Sequence, residues 1–262
     1  MSRYLLNHQY SLMLTSSCTL HCSNCSTMNY QGKFNTIGKD LDVKTLDKII
    51  KKFDSLKLKV DQLTLIGGEP TIHPYMKDIL ELLSSNRGKF FNRLKVITNG
   101  LFFNSKFIDL IDSDIDEIKI SIYPSTKVIR RSLEDSFLID HLRKKTHVWF
   151  QEQDKFYDYG VERDDLEYNR KLNWERCWLK KFCRTITVDG IYRCSVMYND
   201  RVEICPMESQ EQVIKYCEQK ESYDHCESCP FPPVERKWKS TKSLQDQILI
   251  NKSVEFINNW GK

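Results

Sequence analysis

Through the first 150 or so residues, short apolar runs alternate with amphipathic stretches. The runs Ser11–Thr15, Gln62–Ile66, Leu94–Thr98, Glu117–Tyr123 and His147–Gln151 have strand length and end in turn residues. Between the first two, Val43, Leu46, Ile49, Ile50 and Phe53 recur at helical spacing, with Asp42 placed to cap the start. The next helix begins near Pro74, a good first-turn residue, and carries Met76, Ile79, Leu80 and Leu83 on one side. A short helix is expected after Ser105. A longer one is expected from about Ser125 to Lys145, with Val128, Ile129, Leu133, Leu138 and Leu142 as core contacts. This alternation predicts an α/β fold with a mainly parallel sheet, a partial (β/α)6 TIM-like barrel smaller than the closed eight-unit form. In such a fold the active residues lie where strands end.

After residue 152 the chain becomes polar and rich in tyrosine and tryptophan. We read residues 1–152 as the partial barrel, 153–176 as a connection, 177–239 as a small C-terminal domain and 240–262 as a helical extension. A hairpin is expected at Thr185–Cys194, turning at Asp189-Gly190.

The composition, 40% hydrophobic and 29% charged over 262 residues, is that of a folded globular chain and excludes disordered and collagen-like classes. A net charge of +4 without a basic tail does not point to nucleic acid. Runs such as Lys48, Lys51, Lys52 and Arg143–Lys145 read as solvated helix faces. No stretch has the length and apolarity of a membrane span, and Met1–Tyr10 lacks a signal-peptide core, so a cytoplasmic location is expected. Ten cysteines are the unusual feature, because in a reducing compartment clustered cysteines argue for metal or redox chemistry. Three lie at positions 18 to 25, none from 26 to 176, and seven between Cys177 and Cys229.

Cys18-Thr-Leu-His-Cys22-Ser-Asn-Cys25 has C-x3-C-x2-C spacing just beyond the first strand. Three thiolates so close can hold three irons of a cubane and leave the fourth open. The bland alternative is structural zinc, with His21 as a fourth ligand. After the second strand comes Gly67-Gly68-Glu69-Pro70, and after the third Thr98-Asn99-Gly100. The triad together with the GGE segment resembles the radical S-adenosylmethionine (radical SAM) superfamily over roughly residues 10 to 230. The resemblance implies a [4Fe–4S] cluster on Cys18, Cys22 and Cys25 whose open iron chelates S-adenosylmethionine. Electron transfer into the sulfonium would release a 5′-deoxyadenosyl radical. It also implies that Gly67, Gly68 and Glu69 bind the methionine amino group, and that Thr98, Asn99 and Ser121 contact the cofactor's ribose and carboxylate. Turn and strand polarity explain Thr98, Asn99 and Ser121 equally well. Where the family carries an aromatic residue before the third cysteine, this chain has Asn24.

Cys177, Cys183, Gly190, Cys194 and then Cys226-x2-Cys229 resemble the family's auxiliary-cluster region, called SPASM in its long form and twitch in its short form. The cysteine count suits one auxiliary [4Fe–4S] cluster. Its ligands are expected among Cys177, Cys194, Cys226 and Cys229, with Cys183 as rival; zinc is the alternative. Cys205 and Cys217 read as ordinary buried thiols. Phe156–Gly160 and Gly190–Cys194 resemble small radical SAM proteins of polysaccharide and aminocyclitol pathways. That resemblance implies a small or carrier-linked substrate and an alcohol oxidised with the auxiliary cluster as electron acceptor. The external electron donor would be a flavodoxin or ferredoxin. Tyr157, Asp158 and Tyr159 are candidates for the base. The rival within enzymes is modification of a ribosomally made peptide. Only 17 residues precede Cys18, which leads us to expect no fused peptide-recognition domain. The rival outside enzymes is a non-catalytic zinc-binding module.

Overall fold

The computed structural model describes residues 2–20, 22, 25, 40–101, 108, 114–158, 175, 177, 184–187, 189–192, 204–218, 234–237 and 243–260. The strands are β1 (Tyr4–Met13), β2 (Leu58–Ile66), β3 (Phe91–Thr98), β4 (Glu117–Ile122), β5 (His147–Glu152), β6 (Lys155–Asp158), β7 (Arg184–Thr187), β8 (Gly190–Tyr192), β9 (Ile204–Cys205) and β10 (Val234–Lys237). Among the described residues they form an eight-stranded sheet in the order β5-β4-β3-β2-β1-β7-β8-β9 and a two-stranded pair, β10 with β6. Strands β1 to β5 run parallel, and β7 joins the outer edge of β1, also parallel. The hairpin expected around Asp189-Gly190 is present as antiparallel β7 and β8. The sixth parallel strand therefore does not follow β5 around the curve; it closes on the first strand instead.

The helices are α1 (Val43–Ser55), α2 (Met76–Ser85), α3 (Lys127–Glu134), α4 (Phe137–Lys145), α5 (Gln210–Glu218) and α6 (Ser243–Asn259). Asp42 caps α1, its side chain accepting from Thr45 N at 2.6 Å, and Leu46, Ile49, Ile50 and Phe53 are buried. Burial of each such side chain contributes about 1.5–3 kcal/mol. The single helix expected over 125–145 is two helices, broken at Asp135-Ser136, where Ser136 takes an extended conformation. Val128, expected in the core, is exposed, while Ile129, Leu133, Leu138 and Leu142 are buried as their spacing required. The helix expected after Ser105 lies outside the described residues apart from Ile108. No helix among the described residues is long and apolar enough to cross a membrane.

Alternation along the strands divides the sheet into two faces. Leu63, Leu65, Leu94, Val96, Ile118, Ile120 and Val148 share one buried core with the helices. The opposite, inner face carries Ser11, Thr64, Lys95 and Glu117 in one paired tier and Ile97, Lys119 and Trp149 in the next, with Ser121 beside Gln151 above them.

Candidate functional site

Beyond β1 the chain stays beside β2, with Leu14 N donating to Ile66 O at 2.8 Å. It then meets the Gly67-Gly68-Glu69 loop along a pair of backbone bonds, Gly68 N to Thr15 O at 2.7 Å and Glu69 N to Ser17 O at 2.8 Å. A Cβ on Gly68 would lie 1.9 Å from Ser17 O and 3.0 Å from Cys18 Cβ, and one on Gly67 would lie 2.4 Å from Thr15 O. The glycines are thus required by contact between two loops. The sequence motif that binds this site together does so through the absence of side chains.

Glu69 is 1% exposed, and its carboxylate accepts four hydrogen bonds. Thr71 N (3.2 Å), Thr71 Oγ1 (2.7 Å) and Thr98 Oγ1 (2.6 Å) reach Oε1, and Asn99 N (2.7 Å) reaches Oε2. Burial pushes the carboxyl's pKa up, and these donors oppose the rise without cancelling it. The Asn99 side chain continues the chain of contacts, donating from Nδ2 to Thr19 Oγ1 at 2.9 Å and approaching Cys18 Sγ at 3.8 Å. Glu69, Thr98, Asn99 and Cys18 therefore form one connected unit across the ends of β1, β2 and β3. Ser121 is buried at the end of β4 on the inner face.

The cysteine loop is also supported from behind. Thr15 Oγ1 donates to Asp40 Oδ1 at 2.5 Å and accepts from Ser17 N at 2.9 Å, while Leu41 N donates to Leu14 O at 2.7 Å. His73 is buried nearby, its Nδ1 accepting from Tyr75 N at 3.2 Å. Burial lowers the His73 pKa, and the charge of Asp40 offsets only part of that.

Residues 12–133, which hold this entire arrangement, match the model of the Radical SAM superfamily. Over that segment the chain is similar to the radical SAM superfamily. Its curated relatives include a GTP 3′,8-cyclase of Aquifex aeolicus (strain VF5), 24% identical over 127 residues, or 47% of this chain and 38% of that protein. They also include the molybdenum cofactor biosynthesis protein moc-5 of Caenorhabditis elegans, 30% identical over 127 residues, 45% of this chain and 19% of that protein. The chain thus spans well under half the length of these relatives. Among solved structures, BtrN in complex with AdoMet and 2-DOIA superposes with a TM-score of 0.56 at 14% identity, covering 88% of this chain and 94% of that one. At that identity the likeness is one of fold, and it extends beyond the radical SAM domain into the C-terminal half.

A radical SAM domain implies S-adenosylmethionine and a [4Fe–4S] cluster, and the donor set fits. Cys22 is buried, Cys18 and Cys25 are half-buried, and Cys25 N donates to Cys22 O at 3.3 Å. Burial pushes the Cys18 thiol far above its ordinary pKa, the Glu69 charge adds to this, and Cys25 and Cys22 add further. Thiolates can coexist there only with positive charge among them, which a bound metal group supplies. Burial raises the Tyr123 phenol above its ordinary pKa, and Cys22, Cys25 and Cys18 raise it further. Among the described residues no three His, Cys, Asp or Glu side chains converge tightly enough to hold a single ion. A four-iron cube differs from an ion in spreading its thiolates over separate corners.

The second cysteine group is only partly within the described residues. Cys177 is half-buried, and Cys205 and Cys217 are buried as ordinary thiols, whereas Cys183, Cys194, Cys226 and Cys229 lie outside the described residues. Tyr159 also lies outside them, and of Tyr157 and Asp158 only the backbone is described, in β6. Sequence reasoning passed over the polar inner face of β3, β4 and β5. Its signal was available: Lys95, Glu117, Lys119, Trp149 and Gln151 occupy alternate positions in strands that a fully buried parallel sheet would fill with aliphatics.

Proposed function

We propose that this chain is a radical SAM enzyme acting on a small, sugar-like or aminocyclitol-like substrate, with Cys18, Cys22 and Cys25 holding a [4Fe–4S] cluster. The observation that carries the reading is the lacing of the cysteine loop to the Gly67-Gly68-Glu69 loop and the Thr98-Asn99 turn inside a radical SAM domain. The bound cluster and S-adenosylmethionine would supply reductive cleavage to a hydrogen-abstracting radical.

The protein's own part is position and exclusion of water. Glu69 has its carboxylate engaged by four internal donors, so it holds Thr98 and Asn99 in place, and Asn99 in turn steadies the Cys18–Thr19 turn. The backbone of the Gly67-Gly68 turn would approach the methionine ammonium, and Ser121 on the inner face would meet the cofactor's polar groups. Buried Leu20 and Cys22 keep bulk water from the thiolates, which raises the value of every charge interaction there.

An auxiliary [4Fe–4S] cluster on Cys177, Cys194, Cys226 and Cys229, with Cys183 as rival, belongs to the same proposal. Support comes from the cysteine spacing and from β10, which begins five residues beyond Cys229 and pairs with β6 at the barrel's far edge. In that role the cluster would accept the electron left after hydrogen abstraction from a carbinol carbon. The test is iron, sulfide and zinc per chain after anaerobic reconstitution. About eight irons support both clusters, about four support the first alone, and stoichiometric zinc without iron overturns the proposal. Cys22→Ala should abolish reductive cleavage of S-adenosylmethionine in a chain that still folds, and undiminished 5′-deoxyadenosine would remove Cys22 from the ligand set.

A further inference from the structure

We propose that Asn99 is a positioning residue for the cluster's electron chemistry: its side-chain amide donates to the Cys18 sulfur and makes the cluster easier to reduce. That role rests on the reading of Cys18 as a cluster ligand. Asn99 follows the last residue of β3 and is 5% exposed. Leu101 N donates to its Oδ1 at 2.9 Å. A backbone N–H can only donate, so the amide atom facing it must be the oxygen, and the atom facing the cysteine loop must be the nitrogen. That nitrogen lies 2.9 Å from Thr19 Oγ1 and 3.8 Å from Cys18 Sγ. Both amide hydrogens are thereby committed to the cysteine loop, and neither is left for a carboxylate of the cofactor.

The turn that carries this amide is held from behind by α6. Leu101 is 1% exposed, and its carbonyl accepts from the buried Ser253 Oγ of α6 at 2.9 Å. Gly100 N donates to Thr98 Oγ1 at 3.1 Å, and Asn99 N to Glu69 Oε2 at 2.7 Å. Gly100 itself has φ of +72°, a left-handed conformation that costs glycine little. The amide is therefore aimed by the protein's own bonds, as a donor must be if it is to act on developing charge without reorganising.

Cys18 Sγ also accepts from Leu20 N at 3.4 Å. Two N–H groups thus aim at one sulfur, and hydrogen bonds to the sulfurs are among the means by which a protein sets a cluster's potential. Reduction adds one electron to the cube, taken from an external one-electron donor, with no bond made or broken. The added negative charge is shared with the sulfurs, so an N–H aimed at one of them stabilises the reduced form more than the oxidised form. A purely structural part for Asn99 would run instead through its shorter bond to Thr19, which braces the same loop. The two parts use different hydrogens of one amide and can be separated by substitution.

The test uses the anaerobically reconstituted full chain without added S-adenosylmethionine and reads the one-electron potential by redox titration with electron paramagnetic resonance. The signal absent from Cys22→Ala identifies the cluster concerned, and it comes only from chains that carry it, so partial loading does not blur the reading. Asn99→Leu keeps the volume and loses the donor; Asn99→Asp keeps an acceptor for Leu101 N and loses the donor. Each should make reduction at least tenfold less favourable, about 59 mV for one electron. Thr19→Val removes the 2.9 Å partner and leaves the Cys18 contact; it should load iron, with its reduction equilibrium within about twofold of the wild type. Unmoved potentials in both Asn99 variants, an equal fall in Thr19→Val, or failure of both Asn99 variants to load any iron would each overturn the inference, the last two by making Asn99 a brace for the loop. Wild-type iron content keeps the two readings apart. A wild-type cluster with unmoved potentials in the variants retires the tuning alone, whereas a wild type that takes up no [4Fe–4S] cluster retires the ligand assignment beneath it.

Discussion

Adding one methyl group at Gly68 forces two loops apart. A Cβ there would sit 1.9 Å from Ser17 O and 2.4 Å from Ser17 C, and no real Cβ approaches a neighbour closer than 3.0 Å. The Ser17 carbonyl would have to withdraw by about 1.1 Å, from 1.9 to 3.0 Å. It would then lose its 2.8 Å bond from Glu69 N and carry Cys18, the next residue, with it. A lost backbone hydrogen bond with the strain of overpacking comes to about 2–4 kcal/mol, a fall in melting temperature of roughly 5–15 °C. Function should suffer more than stability, because a shift of about 1 Å in a site-forming residue is enough to degrade a preorganised site. The assay compares Gly68→Ala with Gly88→Ala in iron content after reconstitution and in melting temperature. Gly88 has φ of +79°, and its added Cβ meets nothing within 4 Å, so Gly88→Ala carries backbone strain without a clash and should cost about 1 kcal/mol while loading iron normally. Full iron content and an unshifted melting temperature in Gly68→Ala would refute the argument that loop contact dictates the glycine.

Glu69→Gln should destabilise the fold by about 1–3 kcal/mol, because the amide nitrogen of the new side chain must face either the Asn99 N–H or the three donors of Thr71 and Thr98; an unchanged denaturation midpoint counts against it. His73 resists protonation in the folded chain because it is buried, so the unfolded chain binds the proton more readily. Stability is therefore complete above the ordinary histidine pKa of 6.5 and declines as pH falls below it. His73→Gln should flatten the fall in melting temperature between pH 7 and pH 5, and an equally steep fall in the variant would assign the acid sensitivity elsewhere. Asp42→Ala removes the acceptor of the 2.6 Å bond from Thr45 N, for a loss of about 1 kcal/mol that thermal melting should register as roughly 2–4 °C. No change would show that α1 is held by its buried face alone.

Both ends of β4 and β5 were legible in the sequence to within a residue, whereas for β1, β2 and β3 the C-terminal ends were legible and the N-terminal ends were not. β1 starts at Tyr4, seven residues before its apparent start at Ser11, because a register shift between Leu6 and Gln9 interrupts the two-residue alternation. The break between α3 and α4 did leave a trace. Leu133 and Leu138 are five residues apart, a step that no single helix places on one face. The cysteine triad and the GGE segment were readable from spacing, but the work done by Glu69 was not. Its partners Thr98 and Asn99 lie about 30 residues away, and only the parallel register of β2 with β3 brings them to it. The same holds for Lys95 facing Glu117: each is an unremarkable surface residue type until the pairing of the strands sets both on the inner face.

Tyr10 pairs with Arg184, 174 positions later, whereas its partner on the other edge, Leu63, comes after only 53. At about 5–20 residues per second, a ribosome makes the strand that covers the outer edge of β1 roughly 10–35 s after β1 itself. Throughout that interval a ten-residue run without Asp, Glu, Lys or Arg presents unpaired N–H and C=O groups, a ready template for pairing with the wrong chain. How long the nascent protein is exposed to that error is set by the rate of translation and by the length of chain between the two strands, not by anything in the vicinity of the cysteines.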